Sequence, residues 1–166
     1  MKTTKSFAGN LCLCLFILIA TCACSNTPKT TKEAESTTET TKEEGTIFFD
    51  ITLNEALEKA RLENKYVLIN FHSTYCAPCK KMEKEVFPTP ECGEYINKNF
   101  IPITINGDSE KDEAGAKLAE EYNIFIYPSY LILSPNRSLV GEIIGAEHDV
   151  NKFLDMLKTT VLQFEK

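Results

Sequence analysis

The stretch Tyr66-Val-Leu-Ile-Asn-Phe-His-Ser-Thr-Tyr-Cys-Ala-Pro-Cys-Lys-Lys-Met-Glu83 decides the fold of this chain of 166 residues. Its first six residues, Tyr66 to Phe71, are apolar, β-branched or aromatic with one exception, which predicts a buried strand. A short polar turn follows, and then Cys76-Ala77-Pro78-Cys79 opens a basic segment that favours helix. The sequence therefore predicts two thiols at the point where a strand passes into the first turn of a helix.

That position controls the chemistry of the two thiols. The unpaired N–H groups and the positive end of the helix dipole favour a thiolate, which is the reactive form of cysteine. One helical turn brings Cys79 close enough to form a disulfide with Cys76, and Pro78 suits an early helical position because it lacks an N–H. We interpret the pair as a dithiol/disulfide exchange site.

The N-terminus predicts export. Lys2 and Lys5 precede an apolar run from Leu11 to Ala23, whose thirteen residues are too few for a bilayer span of ~20 but suit a signal-peptide core. The end of this run is similar to a bacterial lipoprotein cleavage site, with Cys24, or else Cys22, as the lipidated residue. We therefore expect residues 1–24 to form a lipoprotein-type signal peptide, and ordinary secretion is the alternative.

Residues 25–45 have the composition of a tether. They contain seven Thr, five Glu and three Lys but no apolar residue larger than alanine, so they cannot bury enough surface to offset the entropy of ordering. The folded domain is then expected over residues 46–166. The net charge of −6 argues against nucleic acid as a partner.

Within the domain, hydrophobic spacing and turn residues predict alternating helices and strands. Thr52 and Glu55 form a capping box, Pro88 and Pro90 interrupt the helix after Cys79, and Asp149 caps the last helix. The predicted elements are a helix from Leu53 to Asn64, the strand 66–71, a helix ending near Phe87, a helix 91–99, a strand 100–105, a helix 112–122, a hairpin of strands 129–133 and 139–144, and a C-terminal helix from 150. This order predicts an α/β fold with a mixed sheet and helices on both faces. Leu62 is placed on the inner face of the first helix, and the core aromatic residues are expected to be Tyr95, Phe100, Phe125 and Phe153.

At this point the chain resembles the thioredoxin superfamily over about residues 52–157. Three features carry the resemblance: the strand, Cys-x-x-Cys and helix; the segment Tyr122-Asn-Ile-Phe-Ile-Tyr-Pro-Ser-Tyr130; and Ile144-Gly-Ala146 before the last helix. The long segment between Cys79 and Phe100 is more similar to exported thioredoxin-like domains, such as the C-terminal domain of thiol:disulfide interchange protein D. The resemblance implies a thioredoxin-like fold.

The resemblance also implies roles for individual residues. Cys76 corresponds to the exposed nucleophile and Cys79 to the buried resolving thiol. Pro128 corresponds to the family's cis-proline, beside which the backbone of Tyr127 pairs with an extended substrate. The redox-active Cys76–Cys79 disulfide would be the only redox group, with no further cofactor and no metal.

Three residues depart from the family pattern or could tune it. The family's buried acid is replaced by Asn70, which cannot take a proton from the resolving thiol. Glu83, one turn beyond Cys79, is the best substitute for that acid, and a solvated surface carboxylate is the alternative. His72 stands where thioredoxins carry aromatic residues, and it could bias the Cys76 thiolate or serve only in packing.

Two other functions stay open. A structural zinc site would need paired ligand clusters, but the pair Cys76 and Cys79 alone could carry copper(I). The domain could also be a redox-inert binding module, although a disulfide across a two-residue gap contributes little by loop closure. Cys92, the remaining thiol of the domain, is expected to be buried and inert, with a regulatory disulfide as the alternative.

The direction of electron flow is predicted from the residues between the two cysteines. Ala77-Pro78 is closer to the Gly-Pro of thioredoxins than to the Pro-His of strong oxidants. By resemblance, we expect a monomeric reductant of disulfides in exported proteins. It would be held at the periplasmic side of a bacterial membrane by its lipid anchor and kept reduced by a membrane electron donor.

Overall fold

Four strands form one mixed sheet in this computed structural model, which describes residues 44–108 and 112–166. The strands are β1 (Tyr66–His72), β2 (Phe100–Asn106), β3 (Ser129–Leu133) and β4 (Leu139–Ile144), in the order β2-β1-β3-β4. β1 is parallel to β2 and antiparallel to β3, and β3 and β4 form the predicted hairpin. The predicted α/β mixed sheet is confirmed. The proposed signal peptide, the lipidation site and most of the tether lie outside the described residues.

The first helix begins where its capping box predicts. Helix α1 (Leu53–Glu63) has Thr52 as its N-cap: the Thr52 Oγ1 accepts from Glu55 N, and the Glu55 carboxylate accepts from Thr52 N at 2.8 Å. The helix ends at Asn64, which adopts a left-handed conformation. Leu62 is 87% exposed, so its predicted place on the inner face is wrong. It lies five residues beyond the buried Leu57, which is about 140° around the helix axis from that residue.

The helix that follows β1 is short and changes type. Helix α2 (Ala77–Lys81) continues as a π-helical turn (Met82–Val86), in which Phe87 N donates to Met82 O at 3.0 Å. As predicted, the segment then breaks at Pro88, and α3 (Pro90–Asn99) begins at the second proline with Thr89 as its N-cap. The sequence patterns did not predict the π-turn.

The remaining helices follow β2 and β4. They are α4 (Glu113–Glu121), capped by Asp112, and α5 (Val150–Phe164), capped by Asp149 as predicted. None of the helices within residues 44–108 and 112–166 is both long and apolar enough to cross a membrane.

The sheet separates two hydrophobic cores because successive residues of β1 point to opposite faces. Val67, Ile69 and Phe71 pack with α1 and α4 on one face. Leu68 points to the other face, where the π-turn, α3 and α5 supply Met82, Ile96 and Phe153. Helices therefore cover both faces, as predicted.

The segment before α1 is held against this second core. Thr46 N donates to Phe87 O at 2.7 Å, and the side chain of Asn97 bonds both Gly45 O and Ile47 N. Phe49 adds a single parallel bridge to the outer edge of β2 at Ile103. The described chain is thus already packed against the domain at the residues where the tether is expected to end.

Candidate active site

Cys76 and Cys79 are joined in a disulfide at the start of α2. Their Cα atoms are 5.3 Å apart, and their S–S distance is 1.94 Å. Cys76 is 8% exposed and Cys79 is 3% exposed. The prediction of an exposed nucleophile is therefore wrong for this oxidised form, because the Cys76 Sγ is turned inward over the first helical turn. Cys79 is buried, as the resemblance implied.

The first turn of α2 presents an N–H group to the first sulfur. Cys76 is the N-cap, and its Sγ accepts a hydrogen bond from Cys79 N at 3.1 Å. The same N–H group would stabilise a thiolate at Cys76, since a hydrogen bond to the charged form lowers the pKa of an acidic group. Lys80 and Lys81 in the last turn of α2 add positive charge near the pair. This geometry agrees with the chemistry expected from the sequence.

The loop between β1 and α2 is fixed by the turn that follows β2. Thr74 N donates to Asp108 Oδ1 at 3.2 Å, and Asn106 Nδ2 donates to Thr74 Oγ1 at 3.1 Å. Gly107 N donates to His72 O at 3.0 Å. These bonds hold the segment before Cys76 in one conformation. Sequence reasoning marked the turn at residues 106–108 but not this role, because the partners lie more than 30 residues apart.

The peptide bond between Tyr127 and Pro128 is cis, as the resemblance implied. Phe71 pairs with Ser129 across β1 and β3, so the next position in this register places Pro128 opposite His72. The proline therefore lies at the end of the sheet from which the Cys76 loop emerges. Gly145, with a φ of 91°, donates its N–H to Pro128 O at 2.8 Å, which accounts for the glycine after the last strand.

Tyr127 packs against the turn that holds the active-site loop. A Cβ atom at Gly107 would lie 2.5 Å from the Tyr127 hydroxyl, so a side chain at this position would displace the Tyr127 ring. Burial, and to a smaller extent the charge of Asp108, raise the pKa of the Tyr127 hydroxyl above its ordinary value. The residue stays a protonated phenol near neutral pH. Tyr127 thus packs the cis-proline segment against the turn that is hydrogen-bonded to the segment before Cys76.

Asn70 lies in the buried middle of the sheet and is 3% exposed. It pairs with Thr104 of β2 and Tyr130 of β3. Its Nδ2 donates to Thr104 Oγ1 at 3.0 Å, whereas no donor among the described residues reaches its Oδ1. The side chain is therefore buried and half-satisfied, in the position of the family's acid. Sequence reasoning found Asn70 but missed Thr104, 34 residues away.

The structure does not bring the other two predicted tuning residues into the disulfide's hydrogen bonds. Glu83 is exposed on the π-turn and lines a groove of about 420 Å³ with the segment before α1, Phe87 and Pro88. Burial, with a smaller contribution from the charge of Glu83, raises the pKa of the Tyr130 hydroxyl. The Glu83 carboxylate therefore acts on Tyr130 electrostatically. His72 is half-buried, and its backbone carbonyl fixes the turn after β2. Proton transfer by Glu83 and tuning by His72 stay predictions.

Exposed apolar residues surround the cysteine loop and the proline segment. Tyr75 is 90% exposed, Phe125 is 75% exposed and Ile126 is 57% exposed. The prediction that Phe125 belongs to the core is wrong, because it lies in the surface loop before Pro128. The other predicted core aromatic residues are buried or half-buried. An aromatic residue in a loop gives no sequence signal of its exposure.

Two further observations concern thiols and metals. Cys92 is completely buried, and burial raises the pKa of its thiol, so the prediction of a buried residue is confirmed. Within residues 44–108 and 112–166, no three His, Cys, Asp or Glu side chains are grouped as a metal site. The copper(I) alternative needs only Cys76 and Cys79 and stays a prediction.

Comparison with protein families places these features together. Residues 53–160 match the model of the thioredoxin-like domain. The chain belongs to the thioredoxin-like family. The fold, the cis-proline and the Cys-x-x-Cys disulfide therefore occur in one thioredoxin-like domain, as the sequence resemblance predicted.

Curated relatives of this thioredoxin-like chain include exchange proteins. It is 31% identical over 104 residues to the thiol:disulfide interchange protein DsbD of Pseudomonas fluorescens. The aligned segment covers 61% of this chain and 17% of that protein. It is also 31% identical over 98 residues to a thioredoxin H-type of Fagopyrum esculentum, covering 58% of this chain and 74% of the relative. The chain thus spans about a sixth of the length of the interchange protein.

Solved structures show the same thioredoxin-like fold. A proposed disulphide-isomerase of Bacteroides thetaiotaomicron is 28% identical with a TM-score of 0.62, covering 71% of this chain and 94% of that one. The C-terminal domain of Neisseria meningitidis DsbD has a TM-score of 0.54 at 19% identity, covering 69% of this chain and 98% of that domain. At that identity the second likeness concerns the fold alone.

Proposed function

We propose that this chain is an extracytoplasmic thiol:disulfide oxidoreductase that reduces disulfides in exported proteins. The observation that carries the proposal is the Cys76–Cys79 disulfide at the start of α2, beside a cis-proline, in a thioredoxin-like domain. A pair within one helical turn can open and close with little movement of the backbone. The likeness to an interchange protein by sequence supports disulfide exchange as the reaction.

The proposed reaction transfers two electrons from the dithiol to the substrate. The Cys76 thiolate attacks one sulfur of a substrate disulfide, a mixed disulfide forms, and the first substrate thiolate leaves and takes a proton from solvent. Cys79 then attacks the Cys76 sulfur, the intramolecular disulfide forms, and the second substrate thiolate leaves. The proton of Cys79 passes to that leaving thiolate, so the products are two substrate thiols and the Cys76–Cys79 disulfide.

The buried amide of Asn70 supports this assignment of the proton. Asn70 stands where the family has an acid, and an amide cannot accept the proton of Cys79. Glu83 is the carboxylate that we propose as an alternative acceptor, one turn beyond Cys79. The substrate thiolate can take this proton itself, because it leaves from the Cys76 sulfur that Cys79 attacks.

The cellular setting is part of the same proposal. Disulfides persist in oxidising compartments outside the cytoplasm, and the basic and apolar leader with its cysteine-containing end predicts export and lipidation at Cys24 or Cys22. A reductase there must be regenerated, so we propose a membrane electron donor. The lipid anchor and the tether would keep the domain near that donor.

Equilibration of the purified chain with defined ratios of reduced and oxidised glutathione tests the direction of transfer. We expect a reduction potential close to the value of about −270 mV that is typical of thioredoxin. A potential near that of a strong oxidant, about −120 mV, would contradict the reductant assignment and leave the exchange site intact.

The exposed apolar residues around the site predict a preference for protein substrates. Changing Phe125 and Ile126 to Ser removes apolar surface in the segment before Pro128, since the two side chains are 75% and 57% exposed. We expect the KM for insulin reduction to rise about tenfold, because burial of apolar area drives such docking. Reduction of a small aromatic disulfide reagent should change less than twofold.

The matched control is Leu62→Ser. Leu62 is 87% exposed near the end of α1, beside the start of β1. Cys76 follows the opposite end of β1, so Leu62 is far from the disulfide. We expect this variant to keep the original KM for insulin. An equal rise in KM for both variants, or none for the double variant, would disprove a docking role for Phe125 and Ile126.

A further inference from the structure

The orientation of the Asn70 amide is fixed by a single hydroxyl group. Asn70 Nδ2 donates to Thr104 Oγ1 at 3.0 Å. Thr104 Oγ1 in turn lies 3.4 Å from Asn70 O, an acceptor towards which its single proton can point. The Oδ1 atom then points away from Thr104 into the buried interior, where no donor from the described residues reaches it.

The face of the sheet that carries Asn70 is covered by the helical segment that follows the second cysteine. Leu68 lies in the same buried cluster as Met82, whose N–H bonds the Cys79 carbonyl. Asn70 lies two residues, or ~6.6 Å, further along β1 than Leu68 and on the same face of the sheet. Cys79, which is 3% exposed, lies one turn, or ~4.5 Å, back along the helix from Met82. A helix that follows a strand in a parallel crossover runs back along that strand, so both steps lead towards the loop of Cys76. Asn70 and Cys79 therefore lie towards the same end of this face.

We propose that, in the dithiol form, the Cys79 S–H donates a hydrogen bond to Asn70 Oδ1, so that Asn70 is a positioning residue for the resolving thiol. The inference rests on the proposed function, because it requires that the pair cycles between disulfide and dithiol. Asn70 then has a role that differs from proton transfer. It holds the neutral Cys79 thiol in place by accepting a hydrogen bond, and it does not take the proton when the thiol reacts.

The hydrogen bond has a definite effect on the redox equilibrium. In the disulfide form Cys79 has no proton to donate, and the buried Oδ1 loses its partner, which destabilises that form. In the dithiol form both groups are satisfied. Asn70 therefore shifts the equilibrium towards the dithiol, and an apolar residue of similar size should shift it towards the disulfide.

Asn70→Leu in the full-length chain tests this effect. The chain is equilibrated with glutathione, the free thiols are alkylated, and the tryptic peptide 66–80 is quantified by mass spectrometry. That peptide contains Cys76 and Cys79 and no other cysteine, so the leader cysteines and Cys92 do not interfere. We expect the equilibrium constant for oxidation to rise about tenfold, which is about 30 mV for a two-electron couple. A change below twofold in a folded variant, or a shift towards the dithiol, would overturn the inference.

Two further variants keep the test decisive if Asn70→Leu does not fold. Thr104 is exposed, and Thr104→Val removes the hydroxyl that orients the amide, so we expect a shift of about threefold in the same direction. Asn99→Leu is the matched control. Asn99 Nδ2 donates to Tyr95 O at 2.7 Å at the C-terminal end of α3, and loss of this bond should alter stability but not the equilibrium constant for oxidation. No shift in Thr104→Val, or an equal shift in Asn99→Leu, would contradict the role of Asn70. If peptide 66–80 stays oxidised or reduced at every glutathione ratio, the proposed function fails instead.

Discussion

Cys76→Ser is expected to reduce the rate of insulin-disulfide reduction to the rate without enzyme. The thiolate that attacks the substrate is replaced by a hydroxyl, which is not a nucleophile for disulfides near neutral pH. Turbidity from precipitating insulin chains measures the loss. Cys76 caps α2 through its side chain, a role that serine also fills, so we expect the variant to keep its fold.

Cys79→Ser should behave differently, because the first step remains possible and the second does not. The variant is expected to accumulate mixed disulfides between Cys76 and its substrates, which non-reducing gels and mass spectrometry would identify. Cys92→Ala is the control. Because Cys92 is buried and lies outside the disulfide, this variant should keep full activity and accumulate no mixed disulfides. Activity that survives in Cys76→Ser but is lost in Cys92→Ala would refute the assignment of the site.

Phe153→Ala is expected to have the largest effect on stability. Phe153 is completely buried on α5, and its ring lies 5.0 Å from that of Tyr130 and 5.9 Å from that of Phe87, measured between centroids. Removal of such a ring leaves a cavity between α5, β3 and the end of the π-turn. The free energy of unfolding should fall by about 3–5 kcal/mol, a large part of the roughly 5–15 kcal/mol typical of a domain. Urea unfolding followed by circular dichroism measures the change.

Phe164→Ala on the same helix is the matched control. Phe164 is 45% exposed at the last residue of α5, so its loss should cost about 1 kcal/mol or less. Equal losses in the two variants would mean that the aromatic cluster of Phe87, Tyr130 and Phe153 does not carry the stability assigned to it.

Local patterns in the sequence predicted most of the fold. The capping box at Thr52, the prolines at Pro88 and Pro90, and the hairpin around residues 134–137 all act within a few residues, and each element begins or ends close to the predicted position. The π-turn at Met82–Val86 was not predicted, since its residues do not differ from those of an α-helix. Phe125 was placed in the core only because aromatic residues are usually buried, whereas its loop lies on the surface.

The placement of two cysteines in the first turn of a helix after a buried strand follows from local sequence, because both features depend on neighbours along the chain. The surroundings of that pair depend instead on the tertiary fold. The register between β1 and β2 sets Thr104 beside Asn70, and the register between β1 and β3 sets Pro128 opposite His72. Those registers depend on how both faces of the sheet pack against their helices, and no local pattern encodes a contact between residues 34 or more positions apart.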